Sequence, residues 1–362
     1  MLRINQQTDA QAAKNYYTSA AEYYGAGEQE MVGEWGGKAA DRLLLSGTIL
    51  QHHFERLCDN RHPMTGEQLT ARMRAGRRVG YDFNFHACKS VSILYGLNSD
   101  PAILKAFREA VAEVMGYMEK GVKVRVRKLG QMTERTCGNM AWAEYVHFTA
   151  RPVKGVIDPH LHAHCFVPNV CWDHVEGMWK AIDVACVKEN APQWQAMFQK
   201  RFGQRLAALG YGVEWKGDTF EIAGVTRAMI DRFSRRTNHI NHVAEKRGIT
   251  DPHDKDKLGA MTRERKRKDA TMQGLRAGWR QRLTDEERTA IAQAALWQRR
   301  PLPGGKAEGG IHHERADERQ QRLHDHIMQR QRLAAYDRAR ASYAPTRPKP
   351  VSPPPRSRGY GR

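Results

Sequence analysis

The chain has 362 residues, enough for one large domain or two small ones, each with a proper core. Its formal net charge is +19 and its pI about 9.8, an excess that implies a polyanionic partner, nucleic acid first and an anionic membrane surface second. No stretch is apolar enough to span a bilayer, the N-terminus lacks a signal-peptide apolar region, and the six cysteines form no C-x-x-C pair. The expectation is a soluble, cytoplasmic protein with no disulfide framework, no thiolate zinc site and no membrane insertion.

In chain order, two tyrosine pairs come first, Tyr16-Tyr17 and Tyr23-Tyr24, seven residues apart. On a helix that is two turns, so the pairs share a face. Such spacing is ordinary amphipathic packing. It also suits two phenol nucleophiles, each able to attack a phosphodiester and hold the broken end as an ester. Arg72, Arg74, Arg77 and Arg78 then form a basic cluster fit for single-stranded DNA. A strand is predicted over 81–85, carrying Asp82, with a helix starting at Lys89-Ser90-Val91-Ser92. Apolar spacing at Ile103, Leu104, Phe107, Val111, Val114 and Met115 predicts an amphipathic helix over 101–120. Valine alternating with Lys123, Arg125 and Arg127 predicts a strand with one wet, positive face that would follow phosphates. Strands are expected over 140–149 and 160–167, a helix over 193–209, and a hairpin around 216–218. Trp35, Tyr145 and Trp179 are candidate stacking groups for bases.

The densest chemical signal is Asp158-Pro159-His160-Leu161-His162-Ala163-His164. In an extended strand alternate residues share a face, so three imidazoles project together while Leu161 and Ala163 enter an apolar layer. Neighbouring neutral imidazoles suit a divalent metal. His147, on a neighbouring strand, would add a ligand, and Asp82 would hydrogen-bond a ligand imidazole or help to activate a tyrosine. Near residue 250 the composition shifts. Residues 255–282 are crowded with Lys and Arg and read as a flexible cover over DNA or a solvated basic helix. A helix over 284–298 is capped by Thr284 with Glu287. The Pro-, Ser- and Arg-rich end, 343–362, reads as disordered. No internal repeat and no phosphate-binding G-x-x-x-x-G-K-[ST] loop is found, so no ATPase is expected.

The ordered set of short motifs resembles conjugative relaxases of the MobF (TrwC/TraI-like) type, which are HUH endonucleases. It comprises Asn15-Tyr16-Tyr17, Tyr23-Tyr24, Glu34-Trp35-Gly36-Gly37-Lys38, Tyr81-Asp82-Phe83-Asn84-Phe85, Lys89-Ser90-Val91-Ser92, the histidine block, Trp179-Lys180-Ala181 and Phe233-Ser234-Arg235-Arg236-Thr237. The likeness covers about residues 1–280. It implies an α+β fold, a central antiparallel sheet with flanking helices. It also implies a relaxase domain over 1–295, of which 246–295 is a basic helical cover, and a tail over 296–362 without a helicase.

The resemblance further implies that Tyr16 is the nicking nucleophile and Tyr23 the second, with Tyr17 and Tyr24 as alternates. His147, His162 and His164 become the ligands of a divalent metal ion, Mg²⁺ or Mn²⁺ first with other divalent metals as alternatives, and Asp82 the acid beside them. His160 stands where glutamine is usual and moves to an outer position, and Cys88 replaces a customary proline. Lys89, Arg151, Arg235 and Arg236, within matching motifs, join the arginine cluster as DNA contacts. The implied activity is strand-specific nicking of plasmid origin-of-transfer DNA through a covalent 5′-phosphotyrosine, followed by rejoining. Accessory relaxosome proteins and a type IV secretion coupling protein are the implied partners, and passage into the recipient cell with the DNA goes with them. A rolling-circle replication initiator and a non-catalytic DNA-binding protein of a transfer complex are the alternatives.

Overall fold

The computed structural model describes residues 2–296 apart from 22–30, 32, 75, 266 and 268, with the backbone alone at 16–21, 253, 295 and 296. The chain opens with β1 (Arg3–Gln7). The Asp9 carboxylate then accepts the Ala12 amide at 2.9 Å and starts α1 (Ala10–Ala21). After β2 (Glu34–Gly36), α2 (Lys38–Arg42) and α3 (Gln51–Cys58) comes the buried strand β3 (Gly80–His86), then α4 (Lys89–Asn98). The long helix α5 (Pro101–Gly121) begins where Asp100 accepts the Ala102 amide and proline takes the first turn. Its expected stripe is real: Ile103, Phe107, Val111, Val114 and Met115 are wholly buried. Each such side chain contributes about 1.5–3 kcal/mol of burial free energy.

A hairpin of β4 (Lys123–Lys128) and β5 (Gln131–Thr136) turns on Leu129 and Gly130, both at positive φ. The two central strands β6 (Trp142–Thr149) and β7 (Pro159–Pro168) follow. Next come β8 (Cys171–Asp173), β9 (Met178–Lys180), β10 (Ile182–Asp183), α6 (Ala185–Glu189) and α7 (Ala191–Ala208). The predicted hairpin is β11 (Val213–Lys216) and β12 (Thr219–Ile222). Five helices close the described chain: α8 (Arg227–Arg232), α9 (Arg235–Lys246), α10 (Pro252–Met261), α11 (Met272–Gln281) and α12 (Asp285–Leu296). The last has the expected capping box, with Thr284 and Glu287 exchanging backbone bonds. The expectation for 343–362, and the whole tail from 297, lie outside the described residues.

The main sheet runs β1-β3-β7-β6-β2 with every neighbour antiparallel, so the α+β expectation holds. One face presents Phe83, Phe85, Leu161, Ala163, Cys165 and Val146 to a core shared with α4, α5 and α7. The other presents Phe166 and Tyr145, which join Phe54 of α3 and Ala13 of α1 in a separate cluster. The helix that carries Tyr16 therefore packs on that second face. Tyr145 is 3% exposed within this cluster and edge-on to Phe54, so it is a core residue and not a stacking platform.

A second correction concerns 255–282. Met272 and Trp279 of this basic stretch are buried, and α11 is part of the main core rather than a flexible cover. The Trp279 indole donates to the Ile157 carbonyl at 2.9 Å. A side chain on Gly96 would meet Pro159 at 2.8 Å and Trp279 at 3.0 Å, so glycine is required where α4, α11 and the start of β7 converge. Trp279→Ala should lower unfolding free energy by about 3–5 kcal/mol, read from urea denaturation, because it opens a cavity and strands a buried carbonyl.

Candidate metal centre

Register assembles the site. His162 on β7 lies opposite His147 on β6 and opposite His86 on β3, while His164 lies opposite Tyr145 and Asn84. In an antiparallel sheet directly paired residues share a face, so every imidazole on these three strands comes to one side. One nitrogen from each of His147, His162 and His164 lies within 4.8 Å of the other two. Ring centroids are 5.1 Å apart for His147 and His162, 4.9 Å for His147 and His164.

Each ring of the cluster that lies on β7 has its Nδ1 engaged. His164 Nδ1 lies 2.9 and 3.1 Å from the two Asp82 carboxylate oxygens, and His162 Nδ1 lies 3.0 Å from the His160 carbonyl. These contacts favour a proton on Nδ1 and leave Nε2 as the donor atom, the usual outer support of a metal-binding histidine. Burial, with the neighbouring imidazoles second, holds His147 well below the ordinary histidine range and pushes His162 down to about 3. Both are therefore neutral at physiological pH, as ligands must be. Three imidazole nitrogens, two of them on rings already held through Nδ1, fit a divalent cation.

The other expected residues divide. His160 does not belong to the ligating group; its Nε2 is 3.0 Å from Nδ1 of His86. His86 went unnoticed in the sequence, yet Asp82, Asn84 and His86 alternate along β3 and so share the metal face. Arg151 is half-buried and near enough to His147 and His162 to lower both. Arg72 and Arg74 are exposed. Arg77 donates inward to the Cys58 carbonyl, and Arg78 lies 3.4 Å from the Tyr81 hydroxyl.

Lys89 turns its ammonium to the Pro159 carbonyl at 2.9 Å, and burial lowers it to about 8. Arg236 donates to the carbonyls of Thr262 and Gly259, and the Arg235 backbone amide to Asp158 at 2.9 Å. Lys89 and Arg236 thus spend their charge on the fold rather than on an open surface. On β4, Lys123 pairs with Glu134 and Arg125 with Asp183, and both Arg125 and Arg127 are exposed. Trp35 packs against the smaller clusters and Trp179 edge-on to Trp172. Tyr16 and Tyr17 lie on α1, whose side chains there are outside the described residues, as are Tyr23 and Tyr24 entirely.

Asp158, unremarked beyond its motif, is 2% exposed and also accepts Arg282 at 2.8 Å. Together with the Lys89–Pro159 and Trp279–Ile157 bonds it pins the start of the histidine strand.

An antiparallel sheet with helices behind it and a histidine triad on the face shared with α1 and α3 is the architecture of a relaxase. The TrwC relaxase family model matches residues 10–286, and the chain belongs to that family. It is 31% identical over 257 residues to the multifunctional conjugation protein TraI of Escherichia coli K12, a match covering 67% of this chain and 14% of TraI. The conjugative relaxase TrwC in complex with mutant oriT DNA superposes with a TM-score of 0.67 at 27% identity, covering 78% of this chain and 96% of that one. A metal-bound TrwC–oriT complex gives the same TM-score at 26% identity, over 82% and 99%. Among the described residues no helix is long and apolar enough to cross a membrane.

In metal-free protein the buried neutral imidazoles make an acid-sensitive site. Unfolding restores the ordinary value of 6.5 for His162, so the unfolded state binds more protons below that pH. Stability in EDTA should therefore fall as pH drops from 6.5 toward 3, and His162→Asn should flatten that slope in pH-dependent denaturant melts.

Proposed function

We propose that this chain nicks one strand of an origin-of-transfer DNA and holds the cut end covalently until it is rejoined. The observation that carries the reading is the His147–His162–His164 cluster with Asp82 bonded behind His164. Family membership and the likeness to relaxases in complex with oriT DNA support it.

In this reading Tyr16 is the nucleophile. Its phenol oxygen bonds to the scissile phosphorus as the bond to the 3′ oxygen breaks, giving a 5′-phosphotyrosine and a free 3′ hydroxyl. Tyr23 serves the second transfer, and Tyr17 and Tyr24 are their alternates. His147, His162 and His164 would hold a divalent ion, which supplies Lewis-acid polarisation of a non-bridging phosphate oxygen. Of Mg²⁺ and Mn²⁺, the nitrogen donors suit Mn²⁺ better, because Mg²⁺ takes oxygen ligands. Asp82 keeps the His164 ring oriented, and Arg151 adds positive charge beside the cluster. Arg72, Arg74 and Arg78 offer cations at the surface for the strand's phosphates.

Residues 1–295 would form the strand-transferase domain and 296–362 a tail. The setting would be the bacterial cytoplasm, with accessory relaxosome proteins and a secretion coupling protein as partners.

Incubation with single-stranded oligonucleotides spanning the neighbouring transfer origin should yield a covalent protein–DNA band that EDTA abolishes. Tyr16→Phe combined with Tyr23→Phe should reduce that band to background; an undiminished band would remove the nucleophile assignment. Arg72→Ala and Arg74→Ala should each lower the slope of log affinity against log salt by about 0.7, the value for one phosphate contact on a single strand.

A further inference from the structure

We propose that His86 and His160 are positioning residues for the metal centre, a hydrogen-bonded imidazole pair that braces the ring of His162. The proposal rests on the reading of His147, His162 and His164 as metal ligands.

Ring contacts and hydrogen bonds together define the brace. His86 is the strand partner of His162, and their rings stack with centroids 5.6 Å apart and planes 20° apart. The His86 ring is fixed in turn by Nδ1, 3.0 Å from Nε2 of His160, with those two rings stacked at 5.1 Å and 23°. His160 also lies 4.6 Å from His162, ring to ring, and its carbonyl meets His162 Nδ1 at 3.0 Å. On the opposite side His147 meets His162 edge-on at 5.1 Å. The main chain at His86 is itself tied down, since its carbonyl accepts the Gln199 side-chain amide at 3.2 Å.

His162 is thus surrounded by four rings, of which His147 and His164 belong to the ligating group. The remaining two lie outside the ligating group and cannot be explained as ligands. A five-membered ring on a strand face has two nearly equivalent orientations, one of which turns Nε2 away from the other ligands. The stacked pair occupies the space that a rotated ring would sweep, and the His160 carbonyl selects the orientation that aims Nε2 at His147 and His164. Outer-shell groups that orient a ligand in this way typically contribute 10–100-fold in metal affinity.

The pair also acts as a unit. The hydrogen bond needs one ring as donor and the other as acceptor, so removing either leaves its partner unanchored against His162. Glutamine at 160 could still reach His86 with its amide, whereas alanine could not.

The test titrates the EDTA-treated full chain with Mn²⁺, by calorimetry, alongside ¹⁵N NMR of the histidine rings and thermal melting. His86→Ala and His160→Ala should each weaken Mn²⁺ binding by about tenfold or more. The double variant should be no weaker than the poorer single one, and His160→Gln should stay close to the parent. In metal-free His86→Ala the His162 ring should lose its single Nδ1–H form. Parent-like Mn²⁺ affinity and an unchanged His162 signal in both alanine variants would overturn the proposal, even if melting temperatures fell. His164→Ala separates the two levels: if it left Mn²⁺ affinity unchanged, the metal-site reading itself would fall and this inference with it. Loss in His164→Ala without loss in either brace variant would sink the inference alone.

Discussion

The whole site depends on the pairing register of β7 in the middle of the main sheet. Because side chains alternate with a period of two, a slip of one residue against β3 or β6 would send His162 and His164 into the apolar layer and expose Leu161 and Ala163. That error is strongly disfavoured, since Leu161, Ala163 and Cys165 are almost wholly buried against the helical layer. The hydrophobic pattern of one face therefore fixes the geometry of the other. The three clustered imidazoles need no loop to place them, because adjacent strands bring their nitrogens into a small volume.

Gathering five imidazoles on three adjacent strands has a cost, because each polar ring removed from water needs a partner or must stay neutral. The structure meets this with Asp82 behind His164, a main-chain carbonyl behind His162 and mutual bonding of His86 and His160. A parallel economy operates at the strand's start. The Asp158 carboxylate is buried but satisfied from two later elements, Arg282 and the amide of Arg235.

Much of this was legible in the sequence where periodicity and chemistry coincide. Alternate histidines with alternate small apolar residues announce a strand and its polar face, and the α5 stripe announces its helix. His86 was missed because a lone histidine ending an aromatic run carries no weight until β3 is known to lie beside β7. Its position two residues beyond Asn84 and four beyond Asp82 was the available clue. The α11 packing was hidden because Lys and Arg crowd the stretch that leads into it. Yet Met272, Leu275, Trp279 and Leu283 recur at helical spacing. For Lys89 and Arg236 the limit is different in kind. A motif shows that a cation is present, and only the folded chain shows which carbonyls consume it. Tyr145 was misjudged for a similar reason, since an aromatic on a two-sided strand faces either solvent or a second core, and α1 and α3 supply that core.

The pinning of β7 from far along the chain also bears on synthesis. The bonds from Trp279 to Ile157 and from Arg282 to Asp158 span 122 and 124 residues. At roughly 5–20 residues per second the ribosome makes that stretch in about 6–25 s. For nearly all of that interval His147, His162 and His164 have been polymerised while the clamp on β7 does not yet exist. A nascent chain would thus carry its imidazoles unbraced, open to mispairing or to adventitious metal, until the α11 helix leaves the tunnel. Completion of the centre is in that sense one of the last events in the making of the domain.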